Sequence, residues 1–197
     1  MRRRPLLAVA GFIVAALVVW WLLFWMGPRW LSDPAPAAPV TAGGAGSPAD
    51  PQRRITATLF YVSEDGMALV PAQREIPFAE PVVEQARQVV LAQIAPAEAP
   101  AASAVPPGTS LRAIFLSDKG DLFIDLSADL STAHPGGALE ELFTVYSIVN
   151  AVTVTLPAIT RVQLLIDGKE VDTLAGHVDL RNHLSKNLSW VKSDNPS

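Results

Sequence analysis

The sequence predicts a small layered α+β domain that is preceded by one transmembrane helix. Three observations lead to this prediction. Residues 5–26 are apolar and uncharged, residues 27–52 are rich in Pro, Ala and Gly, and residues 53–192 alternate between β-branched runs and apolar residues at helical spacing. The third segment has the commonest size of a single compact domain. We therefore expect a cytoplasmic tail (1–4), a transmembrane helix, a linker, one domain and a short tail (193–197).

The N-terminal segment predicts a membrane anchor. Residues 5–26 would form roughly 33 Å of helix, which is enough to cross a hydrocarbon core of about 30 Å. Arginines occupy positions 2–4, whereas the other flank has only Arg29. The positive-inside rule then places the domain on the extracytoplasmic side of the inner membrane. A cleaved signal peptide, with residues 35–37 as its cleavage site, is the alternative, but its apolar core is typically only about 7–15 residues long.

Composition excludes several classes of function. The chain has no cysteine, and this excludes disulfides, thiolate metal sites, a Cys nucleophile and a lipid-modified cysteine. The formal net charge is −4, although four of the 15 basic residues lie within the first 29 positions. The domain is therefore more acidic than the whole chain, and it should repel phosphate backbones. We expect no nucleic-acid partner.

The first elements of the domain should be a β-hairpin. Residues 55–62 are β-branched and aromatic, as is typical of a strand, and they are followed by an Asp-Gly turn signal at residues 65–66. Residues 67–70 should return as the second strand, with a further extended piece over residues 74–78.

A helix and a second hairpin should follow. Pro81 suits a helix start, and apolar residues then recur at helical spacing as far as Ile94. Gln85 falls on the polar side of this helix. After an Ala- and Pro-rich loop, residues 111–116 and 122–126 predict two strands joined by a turn.

A second helix should begin after Gly136-Gly137. Its β-branched run at residues 152–155 favours an early end, and Pro157 prevents further extension. We expect one buried apolar stripe, made of Leu139, Leu142, Phe143, Tyr146, Val149 and Val152.

The last predicted elements form a third hairpin. Residues 161–166 should form an apolar strand that ends at Asp167-Gly168, with residues 171–174 as its partner. The resulting order is β-β-α-β-β-α-β-β. It predicts two helices packed on one face of a mixed or antiparallel sheet.

Five short motifs also occur in order along this domain. They are Val105-Pro106-Pro107-Gly108-Thr109, Asp125-Leu126-Ser127, Tyr146-Ser147-Ile148-Val149-Asn150, Val162-Gln163-Leu164-Leu165-Ile166-Asp167-Gly168 and Gly176-His177. On these motifs, residues 55–180 resemble the GerMN domain family of sporulation and germination proteins.

The resemblance implies a fold similar to the ring-building motifs of secretion and sporulation complexes. It also implies an extracytoplasmic, non-enzymatic module that acts through protein–protein contact. Some family members occur beside cell-wall amidase domains. With the predicted anchor over residues 5–26, this points to the membrane, to envelope proteins and to copies of the chain itself as partners.

The motif residues have structural interpretations. Gly108 and Gly168 allow backbone angles that a side chain would resist. Asp125 and Ser127 can bond to local backbone, and Asn150 would need a buried hydrogen-bond partner on its helix. Structural roles are also expected for Pro107, Thr109, Tyr146, Gln163, Asp167, Gly176 and His177.

Histidines offer the main candidates for chemistry near neutral pH. His177 and Asp179 would share one face of a strand, and His183 could join them as a third metal ligand. A polar surface segment is the favoured interpretation because no H-E-x-x-H or comparable spacing is present. A cell-wall hydrolase or hydrolase cofactor, metal-dependent if these residues bind zinc, is the alternative function. A small-ligand binding module is a further alternative.

Other catalytic patterns are missing from the sequence. The aspartates between residues 118 and 129 lack the spacing of a calcium loop. Glu140 and Glu141 are interpreted as charges that balance the positive end of the second helix. No G-x-S-x-G, P-loop or dinucleotide-binding motif occurs. We therefore expect a non-catalytic domain without a cofactor.

Overall fold

The chain is seen in a computed structural model that describes residues 47–192, with side chains from residue 53 onward. Its strands are β1 (Ser47–Val62), β2 (Leu69–Glu80), β3 (Leu111–Leu116), β4 (Asp121–Leu126), β5 (Arg161–Ile166), β6 (Lys169–Glu170) and β7 (Leu184–Ser185). Its helices are α1 (Val82–Ile94), α2 (Asp129–Thr132) and α3 (Ala138–Thr155). None of these helices has both the length and the apolar character that crossing a bilayer requires. The predicted segments 1–4, 5–26 and 193–197 lie outside the described residues.

The predicted α+β class is confirmed, whereas the predicted single sheet is wrong. Strands β1 and β2 form a two-stranded antiparallel sheet of their own. A second sheet has the order β3-β4-β5-β6, with β7 paired to β5. Strands β4 and β5 run parallel because the chain passes through helix α3 between them. Helix α1 and the loop that follows it connect the two sheets along the chain.

The first hairpin is longer than predicted. Strand β1 begins at Ser47, before the expected domain boundary, and β2 is continuous from Leu69 to Glu80 where two pieces were expected. In the turn, Asp65 accepts hydrogen bonds from the Ser63 hydroxyl at 2.5 Å, from Lys192 Nζ at 2.9 Å and from the Met67 N–H at 3.1 Å. The Ser63 hydroxyl and then Lys192 hold the pKa of Asp65 well below its ordinary value.

A buried glutamine pairs with the edge of β1 that faces away from β2. The Phe60 N–H donates to Gln93 Oε1 at 2.9 Å, and Gln93 Nε2 donates to the Phe60 carbonyl at 2.8 Å. Because these groups point away from β2, Phe60 and Pro71 form a non-hydrogen-bonded pair, and the missing N–H of Pro71 costs no hydrogen bond between the strands. One fully buried side chain of α1 therefore satisfies both backbone groups of Phe60.

Gln85 makes a similar contact near the end of β2. Its Oε1 accepts from the Ala79 N–H at 2.8 Å, and its Nε2 donates to the Pro77 carbonyl at 3.1 Å. The prediction that Gln85 faces solvent is wrong, because the side chain is buried. Its amide compensates for burial by bonding backbone that β1 does not pair.

Helix α3 is longer and more deeply buried than predicted. It runs through the β-branched residues 152–155 and ends just before Pro157, so the prediction of an early end is wrong. Burial extends beyond one stripe. Val145 and Ile148 are fully buried, whereas Tyr146, a member of the predicted stripe, is partly exposed. The tertiary packing of the helix outweighs the weak local preference of β-branched residues.

The last hairpin is shorter than predicted. Asp167 and Gly168 both have positive φ angles and form the tight turn that their sequence predicts. The strand that follows this turn and pairs with β5 is only Lys169–Glu170, so the predicted strand over residues 171–174 is wrong. That segment instead belongs to a loop that binds helix α3. The short elements α2 and β7 were not predicted.

Residues on the second sheet alternate between two environments. Leu122, Ile124 and Leu126 of β4 are fully buried in the core, as is Val162 of β5. The opposite face carries Phe123, and the C-terminal segment lies across part of it because His183 packs against this ring. The core therefore lies on one side of this sheet.

We predict that Gln93→Ala lowers the free energy of unfolding by roughly 2–4 kcal/mol. The substitution leaves both backbone groups of Phe60 buried and unpaired, and each such group costs about 1–3 kcal/mol. Urea unfolding followed by circular dichroism measures the effect. Gln88→Ala, at a partly buried position of the same helix, is the matched control. Equal stability of the two variants would show that the Gln93 contacts contribute little.

Candidate functional site

A buried carboxylate links helix α3 to the loop after β6. Glu141 lies in the first turn of α3, and its side chain is 0% exposed. Its Oε1 accepts from the N–H groups of Leu174 at 2.8 Å and Ala175 at 3.0 Å. Its Oε2 accepts from the His177 N–H at 2.8 Å and lies 3.1 Å from His177 Nδ1. We call these four residues the Glu141 cluster.

The charge of Glu141 is stabilised inside the protein. Burial raises the pKa of this carboxyl, but the backbone N–H groups of Ala175, His177, Leu174 and Val178 outweigh that effect. The pKa of Glu141 therefore lies below its ordinary value, and the side chain stays ionised at neutral pH. Its position at the positive end of α3 was expected from the sequence. Its role in binding the loop was not.

His177 is held in one orientation by this cluster. Because a carboxylate only accepts hydrogen bonds, Nδ1 must carry the hydrogen that points at Glu141 Oε2. The imidazole is 45% exposed, so its other edge can reach solvent. Within residues 47–192, no three His, Cys, Asp or Glu side chains lie close enough together to hold a metal ion.

The other two candidate metal ligands have different neighbours. Residues 177–180 form no strand, so the prediction that His177 and Asp179 share a strand face is wrong. Asp179 pairs with Arg181, whose Nε and Nη2 donate at 2.9 and 2.8 Å, and these contacts lower its pKa to about 2. His183 stacks edge-on against Phe123 with ring centroids 5.3 Å apart.

His134 serves the loop that leads into α3. Its Nδ1 accepts from the Gly136 N–H at 3.0 Å, and its Nε2 lies 3.1 Å from Thr144 Oγ1. Thr144 in turn donates to the Ala104 carbonyl at 2.6 Å. Since Nδ1 accepts, Nε2 carries the hydrogen in the neutral ring. This histidine connects three segments of backbone.

The Asn150 side chain binds the backbone of the C-terminal segment. This side chain is fully buried, so it needs the buried hydrogen-bond partner that the sequence predicts. Its Nδ2 donates to the Asn187 carbonyl at 2.8 Å, and its Oδ1 accepts from the Asn187 N–H at 3.0 Å. The amide thus pairs with Asn187 much as a neighbouring strand would.

Asp125 connects β4 to the turn after β5. Its Oδ1 accepts from the Gly168 N–H at 2.7 Å, and its Oδ2 lies 3.4 Å from Arg112 Nη1. The same guanidinium lies 3.1 Å from Asp167 Oδ1. These contacts hold the Asp167-Gly168 turn against the second sheet.

Other motif residues also contact backbone. Ser127 Oγ accepts from the Ser110 N–H at 3.1 Å, Thr109 Oγ1 donates to the Pro106 carbonyl at 2.8 Å, and Gln163 Nε2 donates to the Leu180 carbonyl at 2.7 Å. Gly108 and Gly176 have positive φ angles. Tyr146 packs at the edge of the core.

The described part of the chain has cavities away from the Glu141 cluster. One, of about 370 Å³, lies beside the first hairpin. Another, of about 430 Å³, is lined partly by motif residues. Its lining consists of Ile94, Pro96, Ser103, Val105, Pro107, Gly108 and Thr109. Neither lining includes Glu141 or His177, so the oriented imidazole does not face these cavities.

Comparison with known proteins shows that the chain is similar to a sporulation protein family in sequence and to sporulation protein domains in fold. The sequence profile of the Germane family, described as "Sporulation and spore germination", matches residues 58–172. The structure of the tandem GerMN domains of the sporulation protein GerM from Bacillus subtilis aligns with a TM-score of 0.52 and 17% identity, over 68% of this chain and 46% of that one. The first GerMN domain of GerM alone aligns with a TM-score of 0.49 and 16% identity, over 66% of this chain and 97% of that one. No curated protein sequence matches the chain.

We predict that the stability of the domain decreases in acid partly through Glu141. Its pKa is lower in the folded than in the unfolded state, so it stabilises the fold above the unfolded-state pKa and loses this effect as pH falls through the folded-state pKa. Urea unfolding between pH 7 and pH 3, each value set by buffer, measures the dependence.

Glu141→Gln should remove this part of the pH dependence and lower the free energy of unfolding by about 3 kcal/mol at neutral pH. The reason is that an amide has one accepting oxygen, and its NH₂ group cannot accept from the remaining N–H groups of the loop. Glu140→Gln, at the exposed neighbouring position, should keep the wild-type stability at neutral pH. A Glu141→Gln variant with the wild-type pH profile would contradict the prediction.

We also predict that Asn150→Ala releases the C-terminal segment. Without the amide, the backbone of Asn187 loses two hydrogen bonds, and trypsin should cleave after Lys186 about tenfold faster, as expected for a loss of roughly 1.4 kcal/mol in local stability. Cleavage is followed by mass spectrometry. Asn187→Ala is the control, because Asn150 binds its backbone and not its side chain. Similar cleavage in both variants would contradict the proposed contact.

Proposed function

This chain belongs to the Germane family, the family of GerMN domains, and from that premise we propose that it is a membrane-anchored, non-enzymatic module of the bacterial cell envelope. In this proposal the domain associates with other envelope proteins and with copies of itself. Residues 5–26 anchor it in the inner membrane in a single pass, with the domain on the extracytoplasmic side. The predicted relationship to ring-building motifs fits such a role.

One observation supports a role in association above all others. The polar side chains of the family motifs are engaged with the domain's own backbone, as in the contacts of Asp125, Asn150 and Gln163. They do not converge on a common cavity. Catalytic groups normally converge where a substrate can bind, and side chains engaged in this way instead stabilise a surface that other proteins can contact.

The anchor supports the same role through concentration. Copies tethered to one membrane by the linker meet at a high effective concentration, so a weak contact between domains can suffice for assembly. The acidic domain also reduces nonspecific contact with anionic lipid headgroups.

The proposal predicts that cross-linking of the full chain in intact membranes captures this chain with itself or with another extracytoplasmic protein. A lysine-reactive cross-linker and mass spectrometry identify the products. A chain in which another protein's transmembrane helix replaces residues 5–26 is the control, and it should give the same products because the domain makes the contacts. Recovery of monomer alone would contradict the proposal.

A further inference from the structure

The second sheet ends in a strand that is open on one side. Among the described residues, β3 pairs only with β4, so the backbone groups on its other side have no strand partner. Phe115, the fifth of its six residues, is 62% exposed, more than any other Phe, Tyr or Trp of the described residues. Its ring lies beside that of Phe123, with centroids 6.1 Å apart. The packing of Phe115 is therefore one-sided.

Residues 113–116 of this edge lack the features that usually prevent strand pairing. Soluble proteins protect edge strands with charged residues, prolines or bulges. The only irregularity of β3 lies between Leu111 and Ala113, at its start. Residues 113–116 are uncharged and contain no proline. The charge of Arg112 is directed at Asp125 and Asp167, away from the open edge.

We infer that β3 of one chain pairs antiparallel with β3 of a second copy, with the two-fold axis at Ile114. This inference rests on the proposed function, since it assigns the surface through which copies associate. A two-fold contact must be self-complementary. In this register Phe115 faces the small Ala113 of the second copy, and Ile114 faces its own equivalent. Phe115 and Ala113 share one sheet face, so each large ring covers a small residue.

The placement of charge favours the antiparallel arrangement. Arg112 lies at the start of the strand, where it contacts Asp125 and Asp167 of its own chain, and the exposed Asp118 lies just after the end of the strand. Antiparallel pairing about Ile114 keeps the two Arg112 residues at opposite ends of the joint, each opposite Leu116 and two residues from Asp118 of the other copy. Parallel pairing in register would instead place the two Arg112 residues side by side. Pairing also completes the hydrogen bonds of both open edges and joins the second sheet of one copy to the second sheet of the other.

Cysteine cross-linking tests the register directly, because the natural chain contains no cysteine. Full-length Ala113→Cys and Phe115→Cys chains, each with a different tag, are expressed together in membranes and oxidised. Directly opposite residues lie about 4.5–5.5 Å apart, whereas equivalent positions lie too far apart to bridge. The mixed dimer should form at least about tenfold more than the dimer of either variant alone. Met67→Cys, similarly exposed at 67%, measures random collision.

A charge at the same position provides a second test. Phe115→Glu should reduce the lysine-cross-linked dimer at least about tenfold, because a carboxylate would be buried against Ala113 of the second copy. Met67→Glu is the matched control and should leave the dimer unchanged. Circular dichroism of each variant checks that the domain is folded.

The outcomes separate this inference from the proposed function. A specific mixed dimer together with loss of association in Phe115→Glu supports pairing through β3. The inference is overturned if the wild-type chain dimerises but Ala113→Cys and Phe115→Cys together cross-link no better than Met67→Cys. It is also overturned if the dimer persists in Phe115→Glu. In both cases the proposed function stands. Absence of any captured partner or copy overturns both.

Discussion

Buried polar side chains that bond to backbone groups are the interactions on which the rest of this domain depends. Gln93, Glu141 and Asn150 project from two helices and bind the backbone of segments far away in sequence. No buried side-chain nitrogen or oxygen among the described residues lacks a partner. Because the chain has no disulfides, these contacts and the apolar core are what hold its long loops in place.

The same contacts constrain what the domain can do. A side chain that is committed to a loop cannot also serve a substrate without releasing that loop. His177 is a partial exception to this constraint, because Glu141 orients its ring while one edge of the ring remains exposed. The open edge of β3 carries the exposed Phe115, and we propose it as the surface through which copies of the chain associate. In this proposal, internal stability and external association use separate parts of the fold.

Local patterns in the sequence were sufficient to predict several elements. Strands β3 and β5 have the predicted bounds because β-branched and aliphatic runs there end at clear turn signals. Helix α1 begins just after Pro81, and the Asp167-Gly168 turn follows from the angles those residues tolerate. In each case the deciding interactions lie within a few residues along the chain.

The features that were missed depend on distant partners. Glu141 binds residues more than 30 positions later, and nothing around it in the sequence indicates that a glutamate in a first turn will be buried. The polarity of its amide predicts that Gln85 faces solvent, yet the Ala79 N–H and the Pro77 carbonyl of β2 bond this amide and make its burial favourable. The division into two sheets likewise depends on which strand edges the helices cover.

Amide hydrogen exchange of the wild-type domain, measured by NMR, tests the importance of these contacts most directly. The N–H groups of Leu174 and His177 lie in a loop outside every strand, but both donate to Glu141. If polar side chains hold this loop, these amides will exchange nearly as slowly as those at the centre of β5. Exchange as fast as that of Lys119 in an exposed turn would contradict the account.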